Sequence, residues 1–117
     1  MAAQPESIIQ DQIINYLKIR NIFVWQNKTQ GTFDPVKKIF RKPGKWHLNG
    51  VADILGVLPD GIFLAIEVKT KTGRLSPHQK QFIEKVRKEN GIAFVARCVD
   101  DVSKNLESYF NKKWTIL

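Results

Sequence analysis

The stretch that decides the fold is "GVADILGVLPDGIFLAIEVKT", residues 50–70, because it predicts two strands joined by a tight turn. Pro59 presets the first turn dihedral, and Gly61 accepts the left-handed conformation that closes a three-residue loop. We therefore predict strands at about 51–58 and 62–69, with the loop centred on Asp60. Such a loop places Asp53 directly opposite Glu67, whereas a loop of two or four residues would put them on opposite faces.

Three charged residues, Asp53, Glu67 and Lys69, interrupt this otherwise apolar hairpin. Directly opposed residues of an antiparallel pair have Cβ atoms about 4.5–5.5 Å apart, and like charges there repel. A divalent cation such as Mg²⁺ or Mn²⁺ offsets that repulsion by taking oxygen ligands from both acids. Without a metal, one of the two carboxyl groups should have a raised pKa.

Lys69 lies two residues beyond Glu67, so the two side chains share one face of the strand. An ammonium group at that position is suited to orienting a water nucleophile and to stabilising the charge of a phosphoryl transition state. The alternative is that Glu67 and Lys69 form an ordinary surface contact at the end of a strand.

The segment before the hairpin predicts a helix at residues 5–20 and a first strand at residues 22–26. Glu6 falls on the apolar face of that helix, at its N-terminal end. We therefore expect Glu6 to point inward.

The segment after the hairpin predicts a helix, a strand and a final helix. Ser76 is a good N-cap, Pro77 suits the first helical position, and Gln79 completes a Ser-x-x-Gln capping box. A strand at 92–99 and a helix at 100–110 follow.

The elements then follow the order α-β-β-β-α-β-α. The strands at 62–68 and 92–96 are apolar on nearly every residue, which implies cover on both faces. The sequence therefore predicts an α/β fold with a central mixed four-stranded sheet flanked by helices.

The chain has 117 residues and a formal net charge of +8, which suits one domain over residues 1–117 with a polyanionic partner. It has no apolar stretch of membrane-spanning length and no secretory signal, so we expect a cytoplasmic protein without a membrane partner. Cys98 is the only cysteine, and with His47 and His78 it cannot supply a zinc-ligand pattern. Cys98 lies in an apolar run, so we expect it to be buried.

The segment at about 27–49 predicts a long basic loop or loose hairpin inserted into the domain. Phe33, Phe40 and Trp46 are interspersed among its cationic residues. The cationic residues are Lys37, Lys38, Arg41, Lys42 and Lys45. Cations take phosphates and aromatic rings stack on bases, so this segment is a candidate DNA-binding arm, although a solvated charged loop is the common alternative. Trp25 and Trp114 are predicted to pack or to form a subunit contact.

Three successive runs, "GVADILGV", "LAIEVKT" and "GRLSPHQKQFIEKV", resemble the VRR-NUC domains of the PD-(D/E)xK nuclease superfamily, which has the restriction-endonuclease-like fold. The resemblance covers roughly residues 5–103. The literal Pro-Asp pair of this chain is Pro59-Asp60, which the turn places at the hairpin tip, so Asp53 is the matching acid and Ala52 stands in the proline position.

The resemblance implies roles for particular residues. Asp53, Glu67 and the Val68 carbonyl match the metal ligands, Glu6 resembles a supplementary metal-binding glutamate, and Lys69 matches the catalytic lysine. Gln79 matches a glutamine near the active centre, which competes with its explanation as a capping-box residue. Lys71 and Arg74 follow the motif directly and are expected to position the phosphate backbone.

The resemblance also implies an activity: a Mg²⁺-dependent DNA endonuclease of viral or bacterial replication and repair, with Mn²⁺ as a substitute and no organic cofactor. Small members of the family look like homodimers that act on branched DNA such as four-way (Holliday) junctions. The location would be the bacterial cytosol, or the host cytosol for a phage protein. The alternatives are a non-catalytic nucleic-acid-binding module of the same fold and an RNA-directed nuclease.

Overall fold

A computed structural model of the protein describes residues 4–28, 33–34, 39–40 and 44–116. It contains a mixed four-stranded sheet with helices on both faces, as the sequence predicted. The helices are α1 (Glu6–Ile19), α2 (Pro77–Lys88) and α3 (Val99–Ile116). The strands are β1 (Phe23–Gln26), β2 (Phe33–Asp34), β3 (Ile39–Phe40), β4 (Ile54–Val57), β5 (Phe63–Val68) and β6 (Ile92–Ala96).

The main sheet has the strand order β1-β4-β5-β6. The β1–β4 and β4–β5 pairs are antiparallel, and β5 and β6 are parallel because α2 provides the crossover between them. In the β4–β5 pair Ile54 lies opposite Ile66 and Val57 opposite Phe63. This confirms the predicted register of the hairpin.

The hairpin turn has the predicted three-residue form. The Gly61 N–H donates to the Leu58 carbonyl at 2.8 Å, and the Leu58 N–H donates to the Ile62 carbonyl at 2.9 Å. Gly61 has a φ of 83°, the left-handed conformation that the turn requires. The turn therefore sets the alignment of everything at the opposite end of the two strands.

The sheet separates two apolar cores. One face packs against α1 and α3 through residues such as Ile13, Leu64 and Leu106. The other face packs against α2 through a smaller cluster that includes Ala65 and Ile83. Since side chains alternate along a strand, Glu67 lies on the α2 face together with Ala65.

Three expectations about the C-terminal half require correction. The strand predicted at 92–99 ends at Ala96, because the chain turns out of the sheet to begin α3 at Val99. Cys98 lies in that turn and is exposed, so the expectation of a buried cysteine was wrong. The final helix starts one residue earlier than predicted and continues to Ile116.

The segment predicted as a long loop or loose hairpin contains a small two-stranded sheet, in which β2 and β3 pair antiparallel. Four of its basic residues lie outside the described residues: Lys37, Lys38, Arg41 and Lys42. Across the described parts of the chain, no helix combines the length and apolarity that a bilayer crossing needs.

Candidate active site

Asp53 and Glu67 come together at the end of the β4–β5 ladder. Asp53 directly precedes β4, and continuing the register beyond the Ile54–Ile66 pair places Asp53 opposite Glu67. The Val68 N–H donates to Asp53 Oδ2 at 2.9 Å, which fixes the orientation of this carboxylate. The N–H and C=O groups of a strand residue point to the same edge, so the Val68 carbonyl also points toward Asp53.

Glu67 is a buried acid, with only 2% of its surface exposed. Burial, followed by the negative charge of Asp53 and a hydrogen bond with it, raises the pKa of Glu67 from 4.5 to about 8. The nearby Lys69 charge lowers this pKa, and the charge of Glu6 raises it. The prediction that one of the paired acids has a raised pKa is therefore confirmed, and Glu67 is that acid.

Gln79 performs both of the functions that the sequence left as alternatives. Its Oε1 accepts from the Ser76 N–H at 2.9 Å, and its own N–H donates to Ser76 Oγ at 3.2 Å, which completes the capping box of α2. Its Nε2 donates to Glu67 Oε1 at 2.8 Å. The two ends of one amide thus join the start of α2 to the buried acid.

Lys69 reaches the same carboxylate from the end of β5. Its Nζ lies 3.8 Å from Glu67 Oε1, and its side chain is largely buried. This distance is too long for a strong charged hydrogen bond. The ammonium group therefore lies near the acid pair but does not form a close ion pair with it.

The acid pair fits a hard divalent cation. Glu67 Oε2 is buried and receives no hydrogen bond from a donor group of the described residues, so it can share a hydrogen bond with the neighbouring Asp53 carboxylate only when one of the two acids carries a proton. A buried oxygen left in this state, beside a second carboxylate and a backbone carbonyl, is the donor set that Mg²⁺ prefers.

Glu6 acts on this pair from a different direction. It begins α1, which packs on the opposite face of the sheet, so its charge reaches Glu67 around the end of the sheet. Within the described residues, no three His, Cys, Asp or Glu side chains gather into a metal-binding cluster. The position of Glu6 as a direct ligand therefore stays a prediction.

Of the predicted DNA-contacting residues, three are described. Lys71 and Arg74 are exposed in the loop that follows β5. Lys45 is exposed and places its Nζ 5.3 Å from the ring centre of Trp46, which is 89% exposed. These residues are accessible to a phosphate backbone.

Arg97 and Asn27 are site neighbours that the sequence did not indicate. Arg97 Nη1 donates to the carbonyl oxygens of Thr70 and Gly73, which holds the loop that follows Lys69. The Asn27 N–H donates to the Asp53 carbonyl at 2.7 Å. Both contacts join residues that lie far apart in sequence, so no local pattern marks them.

Comparison with known proteins agrees with this architecture. The model of the VRR-NUC domain family matches residues 36–100, more than half of the chain, and this range includes Asp53, Glu67 and Lys69. A search of curated proteins found no match.

Two solved structures share the fold. One, described as "VRR_NUC domain", has a TM-score of 0.60 and 23% identity, covering 89% of this chain and 96% of that one. Another, "VRR_NUC domain protein", has a TM-score of 0.65 and 20% identity, covering 94% of this chain and 91% of that one. The chain therefore belongs to the VRR-NUC domain family, a family of nuclease type.

Proposed function

We propose that the protein is a Mg²⁺-dependent endonuclease that hydrolyses DNA phosphodiester bonds at the Asp53–Glu67 pair. The observation that carries the proposal is the buried Glu67 carboxyl group, which faces Asp53 and has one oxygen that receives no hydrogen bond from a donor group of the described residues. Placing a buried acid against a second acid is unfavourable for stability alone, so a cation is the simplest partner for them. Family membership supports the same reaction class.

The residues that would hold Mg²⁺ are Asp53, Glu67 and the Val68 carbonyl, with Glu6 as the predicted supplement. When bound, the ion would supply Lewis-acid polarisation of a phosphoryl oxygen and lower the pKa of a water molecule. Glu67 must lose its proton to serve as a ligand, and Asp53 is already oriented by the Val68 N–H.

Lys69 and Gln79 have distinct parts in this proposal. Gln79 Nε2 fixes Glu67 Oε1, which leaves Oε2 to face the ion. The Lys69 ammonium group orients the attacking water and offsets the negative charge that grows on the phosphoryl oxygens in the transition state. The oxygen of the attacking water forms the new bond to phosphorus and releases one proton, while the bond to the sugar oxygen breaks and that leaving oxygen takes up one proton.

The net charge of +8 supports a nucleic-acid substrate. Lys71 and Arg74 follow the active-site strand and are exposed, so in this proposal they would contact phosphates beside the scissile bond. Lys45 and the basic residues outside the described part of the chain (Lys37, Lys38, Arg41 and Lys42) would add further phosphate contacts.

The preferred substrate in this proposal is branched DNA such as a four-way junction, cut by a homodimer that presents two active sites to two strands. Light scattering at micromolar concentration tests the dimer, and a monomeric mass would contradict it. Equal cleavage of plasmid, linear duplex and junction would contradict only the junction preference.

The central experiment incubates plasmid, linear duplex and four-way junction with protein in Mg²⁺, Mn²⁺ or EDTA. Glu67→Ala and Lys69→Ala should each reduce the cleavage rate at least about 100-fold, since they remove a metal ligand and a transition-state cation. Glu84→Ala and Lys80→Ala are matched controls, because they change exposed residues of α2 with the same charges.

Binding of DNA without any cleavage in Mg²⁺ or Mn²⁺ would refute the enzyme and leave a nucleic-acid-binding module. Cleavage of matched RNA in preference to DNA would identify an RNA-directed nuclease.

A further inference from the structure

The sheet face that carries Glu67 is only partly covered. α2 packs on β5 and β6, and its apolar cluster reaches Leu55 of β4, whereas no extensive contact joins a described helix to the same face of β1. On that open part, the edge strand β1 exposes 67% of Phe23 and 39% of Trp25. Trp25 is thus outside the two buried clusters and partly accessible to solvent.

The aromatic pair lies beside the acid pair. Phe23 is opposite Val57, and Trp25 is opposite Leu55. Two residues farther along the same ladder, the Asn27 N–H donates to the Asp53 carbonyl. Trp25 therefore lies on the same face of the sheet as Asp53, two residues along the ladder from it. At about 3.4 Å per residue along a strand and 4.8 Å between strands, the Cα atoms of Trp25 and Asp53 are separated by roughly 8 Å.

The chemistry of this surface favours bases over protein. The Phe23 and Trp25 ring centres are 5.1 Å apart with a 46° tilt, and both side chains are partly exposed. Aromatic rings accept the flat face of any base, and successive bases of an unpaired strand stack on such rings. A polyanionic strand has the charge complementary to that of a chain with net charge +8.

We propose that Phe23 and Trp25 form a stacking platform for unpaired bases of the substrate strand, directly beside the scissile phosphate. This inference rests on the proposed nuclease function, because it takes the acid pair as the position of that phosphate. Bases inside an intact duplex present only their edges, so the platform selects substrates whose bases are unpaired near the cleavage position. Single strands, flaps and branch points have such bases.

The first test measures affinity by fluorescence anisotropy in EDTA, with a labelled single-stranded oligonucleotide and a fully paired duplex of the same sequence. Trp25→Leu should weaken binding of the single strand by about 5- to 100-fold, the range that loss of base stacking gives, and change duplex binding less than about twofold. Trp25→Phe should retain most of the affinity because it keeps an aromatic ring.

Ile19→Ala is the matched control, since Ile19 is an exposed apolar residue at the end of α1, on the other side of the sheet, and should alter neither affinity. Equal weakening of single-strand and duplex binding by Trp25→Leu, or no weakening of either, would overturn the platform. A change from dimer to monomer in light scattering of Trp25→Leu would also overturn it and identify a subunit interface.

A second test leaves Trp25 in place. The chain has three tryptophans, and a double variant with Trp46→Phe and Trp114→Phe keeps only Trp25. The fluorescence emission of Trp25 in this variant should be quenched by the single strand and not by the duplex. Equal quenching by both would contradict stacking.

The two proposals fail separately. Quenching in a protein that cuts no substrate would refute the nuclease alone. Equal Mg²⁺-dependent cleavage rates of Trp25→Leu and wild type on flap and duplex substrates would refute the platform alone.

Discussion

Glu67 carries a carboxyl group that the folded protein makes difficult to ionise. It is buried beside Asp53, and one of its oxygens is held by Gln79 while the other receives no hydrogen bond from a described donor group. In the absence of a cation, a pKa of about 8 means that Glu67 is largely protonated at neutral pH. The acid pair that suits the site to chemistry is therefore also unfavourable for the stability of the fold.

This pKa predicts how stability depends on pH in EDTA. The folded pKa of about 8 exceeds the ordinary value of 4.5, so between these values the folded protein binds more protons than the unfolded chain. The contribution of Glu67 to the free energy of unfolding is complete below pH 4.5. It falls by up to about 1.4 kcal/mol per pH unit as the pH rises to 8. Urea unfolding of wild type and Glu67→Gln from pH 5 to 8 measures it, and parallel curves for the two proteins would contradict the raised pKa.

Metal binding should reverse that trend. A cation takes the ionised form of Glu67, so Mg²⁺ should raise the melting temperature more at pH 8 than at pH 6. Glu67→Gln should show a much smaller increase at either pH. An equal Mg²⁺ effect in wild type and Glu67→Gln would place the ion elsewhere.

The double role of Gln79 predicts that two capping-box variants differ. Ser76→Ala removes one cap hydrogen bond and should destabilise the protein by about 1 kcal/mol with little effect on cleavage. Gln79→Ala also leaves Glu67 Oε1 without its donor, so it should destabilise by about 2–4 kcal/mol and reduce activity. Thermal melts and cleavage rates of both variants decide the matter, and equal behaviour would refute the link between α2 and the acid.

Local patterns predicted the acid pair and the capping role of Gln79 because each depends on a short-range rule: a turn of known length, a two-residue strand period, a capping box. The place of Gln79 beside the acids was implied only by the family resemblance. Arg97 and Asn27 could not be predicted in this way. Their contacts, to the loop at Thr70 and to Asp53, arise only when distant strands are assembled.

At the scale of elements, the β4–β5 hairpin and α2 together hold the site. The hairpin aligns Asp53 with Glu67, and α2 brings Gln79 onto the α2 face of the sheet. Gly50 lies where the chain enters β4 and has a φ of 80°. A Cβ atom at Gly50 would lie 2.4 Å from the carbonyl carbon of His78, so the chain there packs directly on the first turn of α2.

Two glycines with the same backbone conformation should therefore respond differently to alanine. Gly61→Ala places a Cβ atom in open space and should destabilise the protein by about 1 kcal/mol through the left-handed φ alone. Gly50→Ala adds a clash with the backbone of α2, so its effect on stability should be clearly larger and should reduce activity through displacement of Gln79. Chemical denaturation of the two variants compares them, and equal losses would show that the chain yields at Gly50.

Element types were predicted correctly, as were the ends of α1 to within one residue and the start of α2, whereas the boundary between β6 and α3 was not. An apolar run continues past Ala96 to Cys98 and Val99, and nothing local shows that the last residues leave the sheet for α3. The exposure of Cys98 follows from that turn. Trp25 likewise lies in an apolar strand, and its partial exposure follows only from the edge position of β1.

At the scale of the whole molecule, a charge of +8 is combined with a sheet whose two faces differ. One face is covered by α1 and α3, and the other carries the acid pair, α2 and the partly exposed Phe23 and Trp25. The predicted fold class followed from the order of the elements. The part of the sheet that stays uncovered depends on where the helices pack, and the composition of the chain does not predict this.

This charge predicts a steep salt dependence of duplex binding. Each neutralised phosphate contributes about −0.9 to the slope of log K against log salt. Replacing Lys71 and Arg74 by alanine should therefore make the slope shallower by about 2, whereas Lys18→Ala with Lys104→Ala, exposed on α1 and α3, should leave it unchanged. Anisotropy titrations between 50 and 200 mM salt measure these slopes, and equal changes for both pairs would indicate diffuse attraction without a defined contact face.

The three-residue turn at Pro59–Gly61 also implies an order of assembly. A hairpin with so short a loop forms within about 1–10 μs, whereas the parallel pairing of β6 must first close the longer connection that contains α2. The two acids are therefore brought face to face early, before the capping glutamine arrives and before Lys69 is anchored to the carbonyl of Ala96. During that interval the chain holds an unshielded pair of negative charges, so folding should be faster in mild acid, which protonates the pair before the rest of the fold closes over it.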